Sequence, residues 1–145
     1  LIPLVLMAAY NKKKGKPKIS NLQIFGKDFP TKDGTCVRDY IHVTDICDAH
    51  LLALHSLLKP ETEGCKFYNL ANGAGFSVLE IIEKCSDVSG VDIKFNVSAR
   101  RDGDPARLIG NSDKIKAELG WRPSRDLTAI VESAWQSILI EAAKF

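Results

Sequence analysis

Residues 67–90, F-Y-N-L-A-N-G-A-G-F-S-V-L-E-I-I-E-K-C-S-D-V-S-G, decide the fold class. Phe67 to Ala71 reads as a short strand, and Asn72 to Phe76 as a glycine-bearing turn. Ser77 and Glu80 then stand at capping-box spacing ahead of a helix from Val78 to about Ser89, which Gly90 closes. Gly73-Ala74-Gly75-Phe76-Ser77-Val78 is also spaced like a dinucleotide-binding fingerprint. Its sixth position is Val78, however, where that fingerprint needs Gly or Ala so that helix and strand can approach closely. A turn followed by a capping box explains the segment without a ligand.

Outward from this unit the same alternation continues. Leu1 to about Asn11 reads as a helix with Pro3 in its first turn, where a missing N–H costs nothing. A basic turn, Lys12 to Lys18, follows, with Gly15 and Pro17 marking it as a solvated loop. Asn21 to Phe25 is a strand ended by Gly26, and Val37 to Val43 is a second strand-like segment. Thr44 and Asp45 are candidate caps of a helix running to about Leu58, with Ile46, Cys47, Leu51, Leu54, Leu57 and Leu58 as its apolar face. On the carboxy-terminal side, Ile93 to Val97 reads as a strand and Ser112 caps a short helix ending at Gly120. Asp126 caps a last helix through about Ala143. Helices and short strands in alternation make the class α/β or α+β, in one unit without repeats.

Composition removes several function classes. With 45% hydrophobic and 26% charged residues over 145 positions, neither a disordered nor a fibrous chain is compatible. A formal net charge of +2 argues against a nucleic-acid or membrane partner, and the Lys12–Lys18 run has no interleaved aromatics for base stacking. Cys36, Cys47, Cys65 and Cys85 lie singly, which disfavours zinc or a redox pair and points to reduced core thiols in a cytoplasmic protein. His42, His50 and His55 lack metal-motif spacing. The apolar Leu1–Tyr10 run is too short to cross a bilayer and has no basic region before it. A chain that starts inside such a run is expected to be cut from a longer polypeptide. Tyr10-x-x-x-Lys14 matches a dehydrogenase tyrosine–lysine spacing, yet it sits at a helix end beside Gly15 and Pro17 and is read as coincidence.

Two strings carry more. Asp33-Gly34-Thr35-Cys36-Val37-Arg38-Asp39-Tyr40-Ile41-His42-Val43 and Arg100-Arg101-Asp102-Gly103-Asp104-Pro105-Ala106 each offer an arginine fork suited to phosphate oxygens. Asp104 adds an acceptor for sugar hydroxyls. The plain structural alternative is that Arg38 and Arg101 pair with Asp39 and Asp102.

Through these strings, together with L-Q-I-F-G, F-Y-N-L-A-N-G-A-G-F-S-V and L-G-W-R-P, nearly the whole chain resembles the UDP-glucose 4-epimerases, which are extended short-chain dehydrogenases/reductases. Relatives acting on UDP-arabinose or UDP-glucuronate share much of the pattern. The resemblance implies that residues 1–145 are the carboxy-terminal substrate-binding portion, a small mixed α/β domain, and that a Rossmann domain holding NAD and the catalytic tyrosine lies upstream. It implies interconversion of UDP-glucose and UDP-galactose through a 4-keto sugar, inactivity of this portion alone, and a homodimer when full length. Carried over residue by residue, Arg38 and Arg101 match the diphosphate ligands, with Asp102 and Gly103 in the same turn, and Asp104 matches the ribose acceptor. Gln23, Ile24 and Phe25 match the strand that meets uracil, and Leu108 falls where bulk decides whether an N-acetyl group fits. The remaining alternatives are a related UDP-sugar, including an N-acetylated one, or a non-catalytic nucleotide-sugar binding module.

Overall fold

A computed structural model describes residues 1–15, 22–60 and 64–143. The expectations for Lys16, Pro17, Lys18 and Asn21 fall outside these residues.

The elements run α1 (Ile2–Lys13), β1 (Leu22–Phe25), β2 (Val37–Arg38), α2 (Val43–Leu57), β3 (Phe76–Ser77), α3 (Val78–Ser89), β4 (Phe95–Ser98), β5 (Arg107–Leu108), α4 (Asp113–Leu119) and α5 (Leu127–Ala142). Helices α1, α3 and α5 pack on one another, and β1 pairs in parallel with β4 beside them. Their shared core holds Val5, Leu6, Ile24, Ile81, Cys85, Val131 and Trp135. Burial pushes the Cys85 thiol up to about 12, so it behaves as an inert apolar group. Cys47 and Cys65 are exposed, which corrects the expectation of four core thiols. Tyr10 meets Trp135 edge-on at 6.5 Å, giving it a packing role in place of a dehydrogenase one.

The unit around α3 forms as its sequence dictates. Ser77 Oγ accepts from the Glu80 N–H, the Glu80 carboxylate accepts from the Ser77 N–H, and Gly90 closes the helix in the left-handed region. Asp126 caps α5 by accepting from the Ala129 N–H. Ser112 does not cap α4 with its side chain; its hydroxyl donates to the Ala71 carbonyl at 3.0 Å, while Asn111 accepts from the Asp113 N–H.

Three stretches depart from the sequence reading. The expected Val37–Val43 strand is reduced to Val37–Arg38, because Asp39 turns to bind backbone amides and His42, not Thr44 or Asp45, caps α2 through Nδ1. β2 is the middle of a three-stranded sheet, antiparallel to β3 and parallel to β5, and β5 was not foreseen. Residues 67–71 run without ladder partners among the described residues; Lys114 donates to the Phe67 carbonyl and Tyr68 to Glu118 instead. Helix α2 is turned over relative to expectation. It buries Asp45 and Ala49 against Ile115 and Trp121, and leaves Leu51, Leu54, Leu57 and Leu58 exposed.

Asp45 explains that orientation. Its carboxylate accepts from Ser124 Oγ at 2.9 Å and from Arg125 Nη1 at 2.5 Å, and its carbonyl accepts from the Trp121 indole. Burial by itself would push this carboxyl up; hydrogen bonds from Ser124 and Arg125 outweigh it and hold the group below the ordinary carboxylate value. A carboxylate depressed in the folded state contributes stability above its unfolded value, near pH 4, and loses it as pH falls through the folded value. Asp45→Asn is therefore expected to cost about 2–3 kcal/mol, below the fully buried case because Arg125 is partly exposed, and to flatten the stability loss below about pH 4. Urea melts of both proteins between about pH 2.5 and 7 check this. A second test concerns the glycine turn: a Cβ on Gly75 would meet Ile109 Cδ1 at 2.6 Å and Val37 Cγ1 at 2.8 Å, whereas one on Gly73 meets nothing. Both have positive φ, so Gly73→Ala should cost about 1 kcal/mol and Gly75→Ala at least twice that in thermal melts.

Candidate functional site

Phe25, Arg38, Arg101, Asp104 and Leu108, expected from sequence, are linked along the segment that leads from the β1–β4 pair to the three-stranded sheet. β1 ends at Phe25, and Gly26 follows with φ +80. A Cβ there would lie 2.5 Å from the Phe29 ring and 2.8 Å from Arg100 Cγ, so only glycine lets this ring and this arginine close over the strand end. Arg100 stacks on Phe29 at 4.3 Å and pairs with Asp28 at 2.7 Å, a hydrogen bond that holds the Asp28 carboxyl below its ordinary value. Beside it Arg101 lies over the Phe25 ring at 3.8 Å.

The chain then turns. The Asp104 N–H donates to the Arg101 carbonyl at 3.3 Å, with Gly103 at φ +77 and Asp102 exposed at the tip. That turn aims the Asp104 carboxylate at Arg38, with which it forms an ion pair. Arg38 Nη1 also donates to the Pro105 and Val37 carbonyls, at 2.9 and 2.8 Å. Parallel pairing places Leu108 opposite Arg38, and its side chain is 62% exposed. Neither neighbour pair of the structural alternative forms: Asp39 accepts from the Asn72, Gly73 and Gly110 N–H groups, and Arg101 has no acidic partner among the described residues.

Gln23, Ile24 and Phe25 divide by strand alternation. Ile24 is 2% exposed and belongs to the core, so only its backbone can meet a ligand. Gln23 faces solvent, where Ser98 Oγ reaches its Oε1 at 3.4 Å, and the edge of β1 opposite β4 carries no ladder among the described residues. Chemically, the cluster offers guanidinium donors, the faces of Phe25 and Phe29, and the carboxylates of Asp28, Asp102 and Asp104. Such a set suits an anion attached to a flat ring and a polyol. Arg100 and Asp39 are not among the site residues expected from sequence; the Arg100–Arg101 doublet is the available signal for the first, and the amides that Asp39 binds lie more than thirty residues away from it. An apolar groove between α1 and α5, lined by Pro3, Met7, Tyr10 and Ile138, contains none of the expected residues.

A nicotinamide dinucleotide does not fit the glycine turn. The first amides of α3 are already bonded: Val78 N–H to the Cys36 carbonyl, Leu79 N–H to Thr35 Oγ1 and Glu80 N–H to Ser77 Oγ. A pyrophosphate would find no open donors at this helix start. Gly75 is accounted for by its contact with Val37 and Ile109. Among the described residues no group of His, Cys, Asp and Glu could hold a metal, and no helix is long and apolar enough to cross a membrane.

Comparison with known proteins places this arrangement. Residues 11–134 match the family model described as GDP-mannose 4,6 dehydratase. A UDP-glucose 4-epimerase of Corynebacterium glutamicum is 47% identical over 93% of this chain, which spans 39% of that relative. A UDP-glucose 4-epimerase of Stenotrophomonas maltophila, crystallised with NAD and formylated UDP-arabinopyranose, superposes with a TM-score of 0.88 at 36% identity, over 100% of this chain and 41% of the other. The enzyme of Bifidobacterium longum, in complex with NAD+ and UDP, gives 0.85 at 33% identity, again over 100% and 41%. The chain thus spans about two-fifths of the length of these relatives. By the family model that covers most of its length, the chain belongs to the GDP-mannose 4,6 dehydratase family, with UDP-glucose 4-epimerases among its relatives.

Proposed function

We propose that these residues are the UDP-sugar-binding portion of a UDP-glucose 4-epimerase, interconverting UDP-glucose and UDP-galactose through a 4-keto sugar. The observation that carries the reading is the convergence of Phe25, Arg101, Asp104, Arg38 and Leu108 along one continuous path of contacts. Relatives crystallised with UDP or a UDP-sugar support it. In this reading the uracil lies against the open edge of β1 and the Phe25 ring. Arg101 and the donors of Arg38 not committed to Asp104, Val37 and Pro105 hold the diphosphate, and Asp104 Oδ2 accepts from the ribose hydroxyls.

Such an arrangement suits an epimerase physically. The keto sugar must present both faces to one hydride carrier, so binding free energy belongs on the nucleotide, where it does not oppose rotation of the hexose. NAD, present in structures of the relatives, is held outside residues 1–145 in this proposal, and the hydride steps involve no group described above. The portion alone is accordingly expected to turn over no UDP-galactose. The wider assignment to a homodimeric cytoplasmic enzyme belongs to the same proposal.

In the complete protein, Arg101→Ala should weaken UDP binding by about 1.5–3 kcal/mol with little change in melting temperature, since its guanidinium makes no ion pair among the described residues. Arg38→Ala should weaken binding on the same scale and also lower stability, because it strips Asp104 and two carbonyls of their donor. Lysine should rescue each only in part, lacking the planar fork. Calorimetry with UDP checks all four variants; unchanged affinity in both alanine variants removes the assignment.

Leu108 bears on which sugar is accepted. It is exposed among the described residues, and its register opposite Arg38 sets it beside the proposed diphosphate. A branched side chain here should crowd a 2-acetamido group, an effect of about 1–3 kcal/mol or roughly 10–200-fold. UDP-glucose should then be preferred over UDP-N-acetylglucosamine, and Leu108→Ala should narrow the gap in kcat/KM. An unchanged ratio would put the selecting wall elsewhere.

A further inference from the structure

The Asp39 carboxylate sits at the open end of the three-stranded sheet, directly after Arg38. Its Oδ1 accepts from the Asn72 N–H at 2.9 Å, and its Oδ2 from the Gly73 N–H at 3.0 Å and the Gly110 N–H at 3.3 Å. Asn72 and Gly73 lead into β3, and Gly110 leaves β5, so one side chain ties the segments flanking both neighbours of β2. The ladders it supports are only two residue pairs each, Val37↔Ser77 and Arg38↔Phe76 on one side, Val37↔Arg107 and Arg38↔Leu108 on the other. Pairs this short have little hold on their own register.

The surrounding backbone is packed for this contact. Gly75 admits Val37 and Ile109 within distances no Cβ would allow, and a Cβ on Gly110 would lie 2.7 Å from Ala71 Cβ. Arg38 itself faces Asp104 and two carbonyls, and Asp39 takes no part in that pairing. A carboxylate carrying three amide donors is a fixed point, while the guanidinium one residue away is the group offered to a ligand.

From this geometry we infer that Asp39 is a positioning residue for the nucleotide anchor: it sets the place and register of Arg38 against the 101–108 segment, and so governs diphosphate affinity without touching the ligand. The inference rests on the reading of Arg38 as a diphosphate ligand. Replacing Asp39 by Asn keeps the shape and one acceptor but turns an N–H₂ group toward amides that need an oxygen. The strand end is then released, and Arg38 samples positions in which it cannot meet the diphosphate.

The test is a double-mutant cycle in the complete protein, with UDP as the probe and calorimetric affinity as the readout. Arg38→Ala alone should weaken UDP binding about ten-fold or more; if it does not, the anchor reading fails, and the inference with it. Asp39→Asn alone should also weaken binding about ten-fold, and in the Arg38→Ala background should change affinity less than about two-fold. An Asp39→Asn protein that binds like wild type, or whose loss is undiminished without Arg38, overturns the inference while leaving the anchor intact. Should Asp39→Asn fail to fold, hydrogen exchange in wild type decides. UDP should slow exchange of the Asn72, Gly73 and Gly110 amides more than that of Ser124 and Arg125, which the Asp45 carboxylate holds in the same way. Equal slowing of both sets, or none at the Asp39 set, overturns it.

Discussion

The Arg38–Asp104 ion pair is the interaction on which the rest of the site depends. It joins the central strand of the small sheet to the turn that leaves the β1–β4 pair, and it does so with both side chains only about a quarter exposed. Arg38 is therefore held by the protein before any ligand arrives: its Nη groups are already aligned by Asp104, Val37 and Pro105. A guanidinium so fixed loses little rotamer freedom when an anion meets its remaining donors. Arg101 is the complementary case, carrying its charge over an aromatic ring with no carboxylate partner among the described residues. One arginine is held by a carboxylate and two carbonyls, the other exposed over a ring.

Glycine makes the approach of these parts possible. Gly26 admits Phe29 and Arg100 over the end of β1, and Gly75 admits Val37 and Ile109 beside β2. Both have positive φ, and a methyl group at either would collide with side chains of the core or of the arginine doublet. The turn at Gly73 and Gly75 that imitates a dinucleotide fingerprint thus serves packing, and the amides that a pyrophosphate would need are bonded within the protein.

How far the sequence is legible follows from where its physics is local. The Ser77–Glu80 box, Gly90, Gly120 and the Asp126 cap are visible in the string because each acts within four residues of itself. The orientation of α2 is not, because it depends on Asp45 meeting Ser124 and Arg125 nearly eighty residues away. Apolar periodicity alone favours burying Leu51, Leu54 and Leu58, and the structure exposes them. Likewise residues 67–71 have strand composition but no ladder partner among the described residues, and the two-residue β5 lacks any local signature. Phe25, Arg38, Arg101, Asp104 and Leu108 are proposed as site residues on resemblance, and the structure links them through the Phe25–Arg101 stacking, the Arg38–Asp104 pair and the Arg38–Leu108 register. Asp39, which the structural alternative pairs with Arg38, instead clamps the sheet by accepting from amides of two distant segments.

In the proposed function one contiguous surface, from Phe25 through the 101–104 turn to Arg38 and Leu108, receives a nucleoside diphosphate. Titration of UDP into isotopically labelled protein, followed by backbone amide and arginine side-chain NMR shifts, tests it most directly. The account predicts saturable shifts concentrated at Phe25, Gly26, Arg38 and residues 98–108, including the Arg38 and Arg101 side chains, with α1 and α5 unaffected. Shifts centred on the α1–α5 groove or on Lys12–Lys14, or saturation without change at Arg38 and Arg101, would contradict it.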